Sequence, residues 1–407
     1  MPPLRTIAAA LQVTTETLAR EISQPTAQAP RWSELQWRIA EAATVMHGTG
    51  ALLANRLRWK GPDRWQAFLS EQRRQTELRW ERIAALLDRI DTLMRQAGIA
   101  CVALKGSALY RIGLYPTAER TMGDIDLLVR AADTAVASAL LTTLGYQEAF
   151  STRRHRTFEL VEPAHGVGFG EHVDNPIKIE LHERIAEPLP VREIDITALA
   201  FPCAARPGIN PYPSIASLLR HVLLHAAGNL RSRALRFNQL HDVALLAQRL
   251  RGEDWDELLH EGVTARGAWW ALAPLSLTAR YYPQAIPQQI ITAAACGAPV
   301  LLRRISRRHR LTDVSWSRIQ IQAFPGIEWS GSLAEAVEFM LSRVCPRRDA
   351  LNEIHQSIRE HPFMTAVPWY RLSHVNRILR WVFSQPPRVQ AIYPVRVALG
   401  IQPASSA

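Results

Sequence analysis

The chain has 407 residues, 47% of them hydrophobic, with a formal net charge of +11 and a mean hydropathy of −0.09. That is enough for two or three packed units, but no apolar run approaches the ~20 residues of a bilayer span, and the most apolar stretch, Ser217 to Ala227, is interrupted by Arg220, His221 and His225. Cys101, Cys203, Cys296 and Cys345 are scattered without a C-x-x-C pair, which excludes a disulfide framework and a zinc ribbon; with no signal-peptide pattern in MPPLRTIAAALQ, the expected location is the cytoplasm.

Residues 1–30 read as a weakly structured lead ending in the Pro- and Gln-containing stretch Gln24 to Pro30. Between 31 and 98 the apolar positions recur every three or four residues (Leu35, Ile39, Ala42, Ala43, Met46, then Leu78, Ile83, Leu86, Leu87, Ile90, Leu93). This is amphipathic helix, broken into at least two pieces at Gly61-Pro62. An α/β section follows over 99–187. Its expected elements are a buried strand from Ile99 to Leu104, a helix from Gly106, a strand from Asp124 to Val129 and a helix from an Asp133 N-cap to Leu144. Strands are also expected near Tyr146–Phe150, Arg156–Val161 and Ile177–Leu181. The stretch HGVGFG from His165 to Gly170 has the wrong glycine spacing for a nucleotide loop and reads as a hairpin or loop. A Pro-rich connector spans 188–213. A second helical region fills 214–407, with helices at Ser214–Ala227, Phe237–Leu250, Trp255–Tyr282 and onward to about Phe383.

The chemistry concentrates between Lys105 and Val129, where LKGSALY precedes ERTMGDIDLLV. Residues two apart on a strand share a face, so Asp124 and Asp126 project together while Ile125 and Leu127 turn into the core. Two aligned carboxylates on a buried strand repel and are costly to desolvate. A cation between them relieves both, and hard oxygen ligands favour Mg²⁺. Gly106 and Ser107, opening a helix, offer backbone N–H groups and a hydroxyl to phosphate.

These strings resemble the nucleotidyltransferase superfamily, the fold of DNA polymerase β. Leu104-Lys105-Gly106, Leu114-Tyr115-Pro116, Arg120 to Val129 and Leu144-Gly145-Tyr146 resemble one bacterial branch in particular, the largely uncharacterised nucleotidyltransferase-like family. The spacing from Gly106 to Asp124 is longer than in compact superfamily members, so the loop over the site does not follow from them. The resemblance implies an α+β fold, a mixed-sheet core flanked by helical regions from both ends of the chain. It also implies two Mg²⁺ ions, an NTP donor (ATP the first choice), pyrophosphate release, and tailoring roles in bacterial biosynthetic or toxin–antitoxin-like settings. The acceptor would be a small molecule, a peptide or an RNA.

The superfamily needs a third carboxylate. Glu180 is chosen, because in KIELH the side chains of Lys178, Glu180 and His182 share one face; Asp174 competes and Glu183 has the wrong parity. Glu180 would bind the catalytic ion and accept the proton of the attacking hydroxyl, with His182 and Lys178 possible substrate contacts. Lys105 and Arg120 would hold the β- and γ-phosphates, unless Lys105 forms an ion pair with the aspartates; Ser107 would bond a phosphate oxygen or cap its helix.

His221 and His225 lie on one helix face, and His241-Asp242 follows on the next helix. Buried, hydrogen-bonded histidines are the preferred reading there over a metal site. The basic residues are almost all arginine, with lysine only at 60, 105 and 178. A basic balance suits a phosphate-bearing partner, although Arg303, Arg304, Arg307 and Arg308 and the pair Arg153-Arg154 read first as solvated faces rather than RNA contacts. The twelve tryptophans read as helix-packing residues. Two alternatives stay open: a kinase or phosphohydrolase using the same metal site, and a non-catalytic binding module with this fold.

Overall fold

The computed structural model describes residues 1–116, 119–152, 155–161, 169–260, 267–346 and 372–401. Six strands form one mixed sheet: β1 (Ala100–Ala103), β2 (Asp124–Val129), β3 (Tyr146–Ser151), β4 (His155–Leu160), β5 (Lys178–His182) and β8 (Gly208–Asn210). Their order is β3-β4-β5-β2-β1-β8, with β2/β5 and β1/β8 parallel and the other pairs antiparallel. A small hairpin, β6 (Ala186–Pro188) and β7 (Glu193–Asp195), stands apart. The α+β class read from the sequence is the one observed.

Strand alternation gives the sheet two different faces. Cys101, Ala103, Ile125, Leu127, Val129, Ile179 and Leu181 face helix α4 (Asp63–Gln96) and helix α6 (Thr134–Thr143). Helix α4 meets them with Ile83, Leu86, Leu87, Ile90 and Met94, spaced at three and four residues as an amphipathic stripe requires. Val102, Leu104 and Leu128 belong to the opposite face. They join a larger core built by α1 (Leu4–Ser23), α2 (Glu34–His47), α7 (Ile215–Ser232), α8 (Phe237–Ala247) and α10 (Leu272–Tyr281). Each Leu or Ile fully buried there contributes about 1.5–3 kcal/mol.

Three expectations need correction. Residues 4–23 are not a loose lead but helix α1, whose Ile7, Leu11, Leu18 and Ile22 are buried in the larger core. Its Glu16 carboxylate accepts hydrogen bonds from Tyr281 Oη (2.9 Å), Thr312 N (3.0 Å) and Thr312 Oγ1 (2.8 Å). Its alanines and leucines and the spacing of Ile7, Leu11, Leu18 and Ile22 are those of an amphipathic helix, so this expectation undervalued the local signal. The 188–213 stretch is more than a connector, since Gly208–Asn210 adds edge strand β8, too short to read as a pattern. The helix expected from Trp255 to Tyr282 divides into α9 (Gly252–His260) and, after a turn of 3₁₀ helix at Trp269–Ala271, α10.

Upstream, the helical region falls into α2, the short helix α3 (Gly50–Arg56) and α4, in keeping with at least two pieces, and Gly61-Pro62 lies at the break before α4. Gly48 ends α2 at φ 62°, and a Cβ there would lie 2.6 Å from Thr121 Oγ1. Arg303, Arg304, Arg307 and Arg308 are exposed, as a solvated face should be. Arg153, Arg154, the 165–168 part of the Gly-rich loop and Trp369-Tyr370 lie outside the described residues. Trp65, Trp270 and Trp329 are fully buried packing residues, in line with that expectation. No described helix is long and apolar enough to cross a membrane.

Candidate active site

The Leu104-Lys105-Gly106 turn carries β1 into the seven-residue helix α5 (Lys105–Arg111). A Cβ on Gly106 would stand 2.6 Å from both Arg120 Nη1 and Met122 Sδ, so a larger residue would have to displace the ends of these two side chains, which pack on the turn from the segment leading into β2. Lys105 sits at φ 45°, the left-handed region that a lysine enters at some cost. From there its Nζ reaches Asp126 Oδ1 at 2.6 Å and Glu180 Oε2 at 3.7 Å.

The parallel register of β2 and β5 sets Asp126 beside Glu180 and Asp124 beside Lys178. Asp124, Asp126 and Glu180 thereby bring one carboxylate oxygen each within 4.8 Å of one another. They line a cleft of about 530 Å³ with Lys105, Gly106, Arg120, His155 and His182 on one side and residues of α7 and α8 on the other. That volume lies in the ordinary range for small-molecule sites.

The charges in the cluster are unevenly compensated. The Asp124 carboxylate makes no hydrogen bond or ion pair among the described residues. Burial first, then repulsion from Asp126 and Glu180, pushes its pKa up to about 6. Burial alone would lower the Lys105 pKa, but Asp126, Glu180 and Asp124 more than reverse this and keep it cationic. Glu180 is the converse. Burial pushes its pKa upward, yet Lys105, the hydrogen bond from His182 and the charge of His155 hold it far below the usual carboxylate range. A carboxylate so depressed is a good ligand and a weak proton acceptor. His182 Nε2 lies 3.0 Å from Asp126 Oδ1 and 3.3 Å from Glu180 Oε2. Burial lowers its pKa, but these two bonds raise it on balance. The three carboxylates fit a hard divalent cation: all ligand atoms are oxygens, they converge, and Asp124 is a half-buried charge with no hydrogen bond or ion pair among the described residues.

Other residues singled out in the sequence go elsewhere. Arg120 is bidentate to Asp242, Nε–Oδ1 and Nη2–Oδ2 both 2.8 Å, and Tyr115 Oη donates to the same carboxylate at 2.5 Å. The network ties the core to α8 and occupies Arg120 as an ion-pair partner. Ser107 is fully buried with its hydroxyl 3.8 Å from Met122 Sδ, not at the cleft wall. Lys178 shares the Glu180 face but pairs with Glu159 at 2.6 Å, away from the cleft. Asp174 lies near Arg82 and His172 on the exterior, and Glu183 faces Arg156. His221 and His225 line the cleft. His221 Nδ1 bonds Tyr212 Oη at 2.5 Å and His225 Nε2 bonds Asn229 at 3.0 Å. Burial, then the Lys105 charge, lowers the His221 pKa well below normal. His241 is buried against Tyr282 Oη at 2.7 Å. Of these four, His221, His241 and Asp242 are buried and His225 is half-buried, and all but His241 line the cleft.

Three positions in or behind the cleft escaped the sequence reading. Arg79 of α4 donates to the carbonyls of Met122 (3.1 Å), Gly123 (3.0 Å) and Pro176 (2.9 Å) and to that of Asn175, pinning the starts of β2 and β5 together. Arg236, just ahead of α8, reaches the cleft with its guanidinium 5.0 Å from the Trp316 ring centre. It makes no ion pair among the described residues. Burial lowers its pKa, while Asp124 and Glu171 act in the opposite direction. His155 of β4 stands opposite His182. Nothing local marks the two arginines in an arginine-rich chain; the strand position of His155 was the one available signal.

No curated protein and no solved structure matches the chain. A family model described as uncharacterised nucleotidyltransferase matches residues 33–283, from α2 through α10 and therefore across every residue of the cleft named above except Trp316. By that match, and by the convergence of Asp124, Asp126 and Glu180 at its centre, the chain belongs to the uncharacterised nucleotidyltransferase family.

Proposed function

We propose that the protein transfers a nucleoside monophosphate from an NTP, ATP being the first choice, to the hydroxyl or phosphate of an acceptor, releasing pyrophosphate. The single observation that carries this reading is the three-carboxylate cluster in an open cleft of a chain from this family. Asp124, Asp126 and Glu180 would hold Mg²⁺, which when bound supplies charge neutralisation for the triphosphate and polarisation of the α-phosphate. Asp126 and Glu180 are held in place by Lys105 and His182. Arg236, which lines the cleft and makes no ion pair among the described residues, would grip the triphosphate, while Lys105 and Arg120 face carboxylates. The α7 wall, with His225, Asn229 and Ser232, offers hydrogen-bonding groups to the acceptor side. Arg79 holds the two carboxylate strands in register, the positioning that an in-line displacement demands. The acceptor remains a small molecule, a peptide or an RNA end.

Isotope position tests the reaction. With α-labelled NTP, Mg²⁺ and pooled cellular metabolites, peptides and RNA, label enters a product and pyrophosphate appears, and Asp126→Asn abolishes both. Transfer of γ-label instead would make the protein a kinase. A nucleotide-stabilised protein that transfers neither label would be a binding module.

A further inference from the structure

Beside the all-oxygen cluster lies a second, chemically different group of ligands. His155 and His182 face each other across the antiparallel β4/β5 pair, and Glu180 is two residues from His182 on the same face. The nitrogens and a carboxylate oxygen of this trio all lie within 4.8 Å of one another. His155 Nε2 is 3.9 Å from Glu180 Oε1, His182 Nε2 is 3.3 Å from Glu180 Oε2, and the two imidazole centres are 5.0 Å apart. Ligand atoms about 2.1 Å from one ion sit roughly 3–3.5 Å from each other, so small side-chain rotations close the set. The side chains are 17%, 22% and 10% exposed, walled by the sheet yet open to the cleft.

We propose that His155, Glu180 and His182 bind a divalent first-row transition ion, Mn²⁺, Co²⁺ or Zn²⁺, next to the three-carboxylate site and with Glu180 common to both. Imidazole nitrogen is a ligand for borderline ions, whereas Mg²⁺ takes oxygen. Two histidines and one carboxylate leave positions free for water or substrate on the cleft side. Glu180 has one oxygen toward each histidine, Oε1 toward His155 and Oε2 toward His182. The site therefore differs in metal preference from the one that Asp124 and Asp126 build. Were the trio only a set of ion pairs, neither imidazole would respond to such an ion.

The proposal stands on this geometry and does not need the transfer reaction to be correct, so metal binding is its readout. Co²⁺ is titrated into the metal-free protein in excess Mg²⁺ and followed by its visible absorption. The wild type takes up one Co²⁺, Asp124→Asn retains it, and His155→Ala weakens it about 10-fold or more. Unchanged Co²⁺ affinity in His155→Ala, or its complete loss in Asp124→Asn, overturns the assignment. Should His155→Ala fail to fold, pulsed electron paramagnetic resonance of the Mn²⁺-loaded wild type decides. Imidazole nitrogen coupling is expected, and its absence refutes the site.

Discussion

Replacing Asp124 by Asn keeps the shape of the side chain and removes a half-buried negative charge that no described residue hydrogen-bonds or pairs, and whose attraction to Lys105 and Arg236 is outweighed by burial and by Asp126 and Glu180. Its pKa rises from 3.8 to about 6 on folding. Between those values the folded chain binds the proton more tightly than the unfolded chain, so stability falls as pH rises through that window and stays low above it. About two pKa units correspond to about 3 kcal/mol at most, and partial solvation of the cleft brings the expectation to about 1–3 kcal/mol. At an unfolding entropy of ~2 cal/mol/K per residue, a chain of this length converts that into roughly 1–4 °C. Without divalent ions at pH 8, Asp124→Asn should therefore melt higher than wild type, and near pH 4 the two should coincide. Mg²⁺ should then raise the wild-type melting temperature and leave the variant's nearly unmoved, because only a ligand of the native state stabilises it. Scanning calorimetry over pH with chelator and with Mg²⁺ makes the comparison. A variant less stable than wild type at pH 8 in chelator would refute the reasoning, since it would mean that the Asp124 charge has a favourable partner.

Arg236→Ala should weaken NTP binding by about 10- to 100-fold, the loss of a charge-assisted hydrogen bond; calorimetric titration with a non-hydrolysable analogue and Mg²⁺ checks it, and an unchanged affinity would place the triphosphate elsewhere. Asp242→Asn leaves Arg120 a buried cation without its carboxylate and should cost about 3–5 kcal/mol in urea unfolding; a loss under about 1 kcal/mol would deny that this network ties the core to α8. Leu11→Ala in α1 should cost about 2–5 kcal/mol, against no more than about 0.5 kcal/mol for the exposed Val13→Ala. Equal effects in the same urea melts would mean that α1 does not pack as described.

Local sequence was enough to place Asp124 and Asp126 on one strand face and Glu180 on another, because strand parity is a property of consecutive residues alone. The Leu104-Lys105-Gly106 turn was equally legible as the passage from a buried strand into the helix that starts at Lys105. The same periodicity gave α4 and the helices at 215–232 and 237–247. Strand β8, three residues long, was not legible; helix α1 carries a helical apolar spacing, and what the sequence hid was its docking, through Glu16, on Tyr281 and Thr312, 265 and 296 residues away.

Ionic partners were decided by the fold. Sequence left Lys105 between phosphate and an ion pair with the aspartates, and the fold pairs it with Asp126; Arg120, read as a phosphate ligand, meets Asp242 from a helix far along the chain. Ser107 looked like a phosphate ligand from its place in the motif, but helix α5 turns its hydroxyl toward Met122. Arg236 and Arg79 became visible only in three dimensions, one left facing the cleft without an acid and the other buried among carbonyls. Which residues alternate along a strand is written in the chain itself. Which charge ends beside which depends on how distant segments pack, and that only the tertiary structure decides.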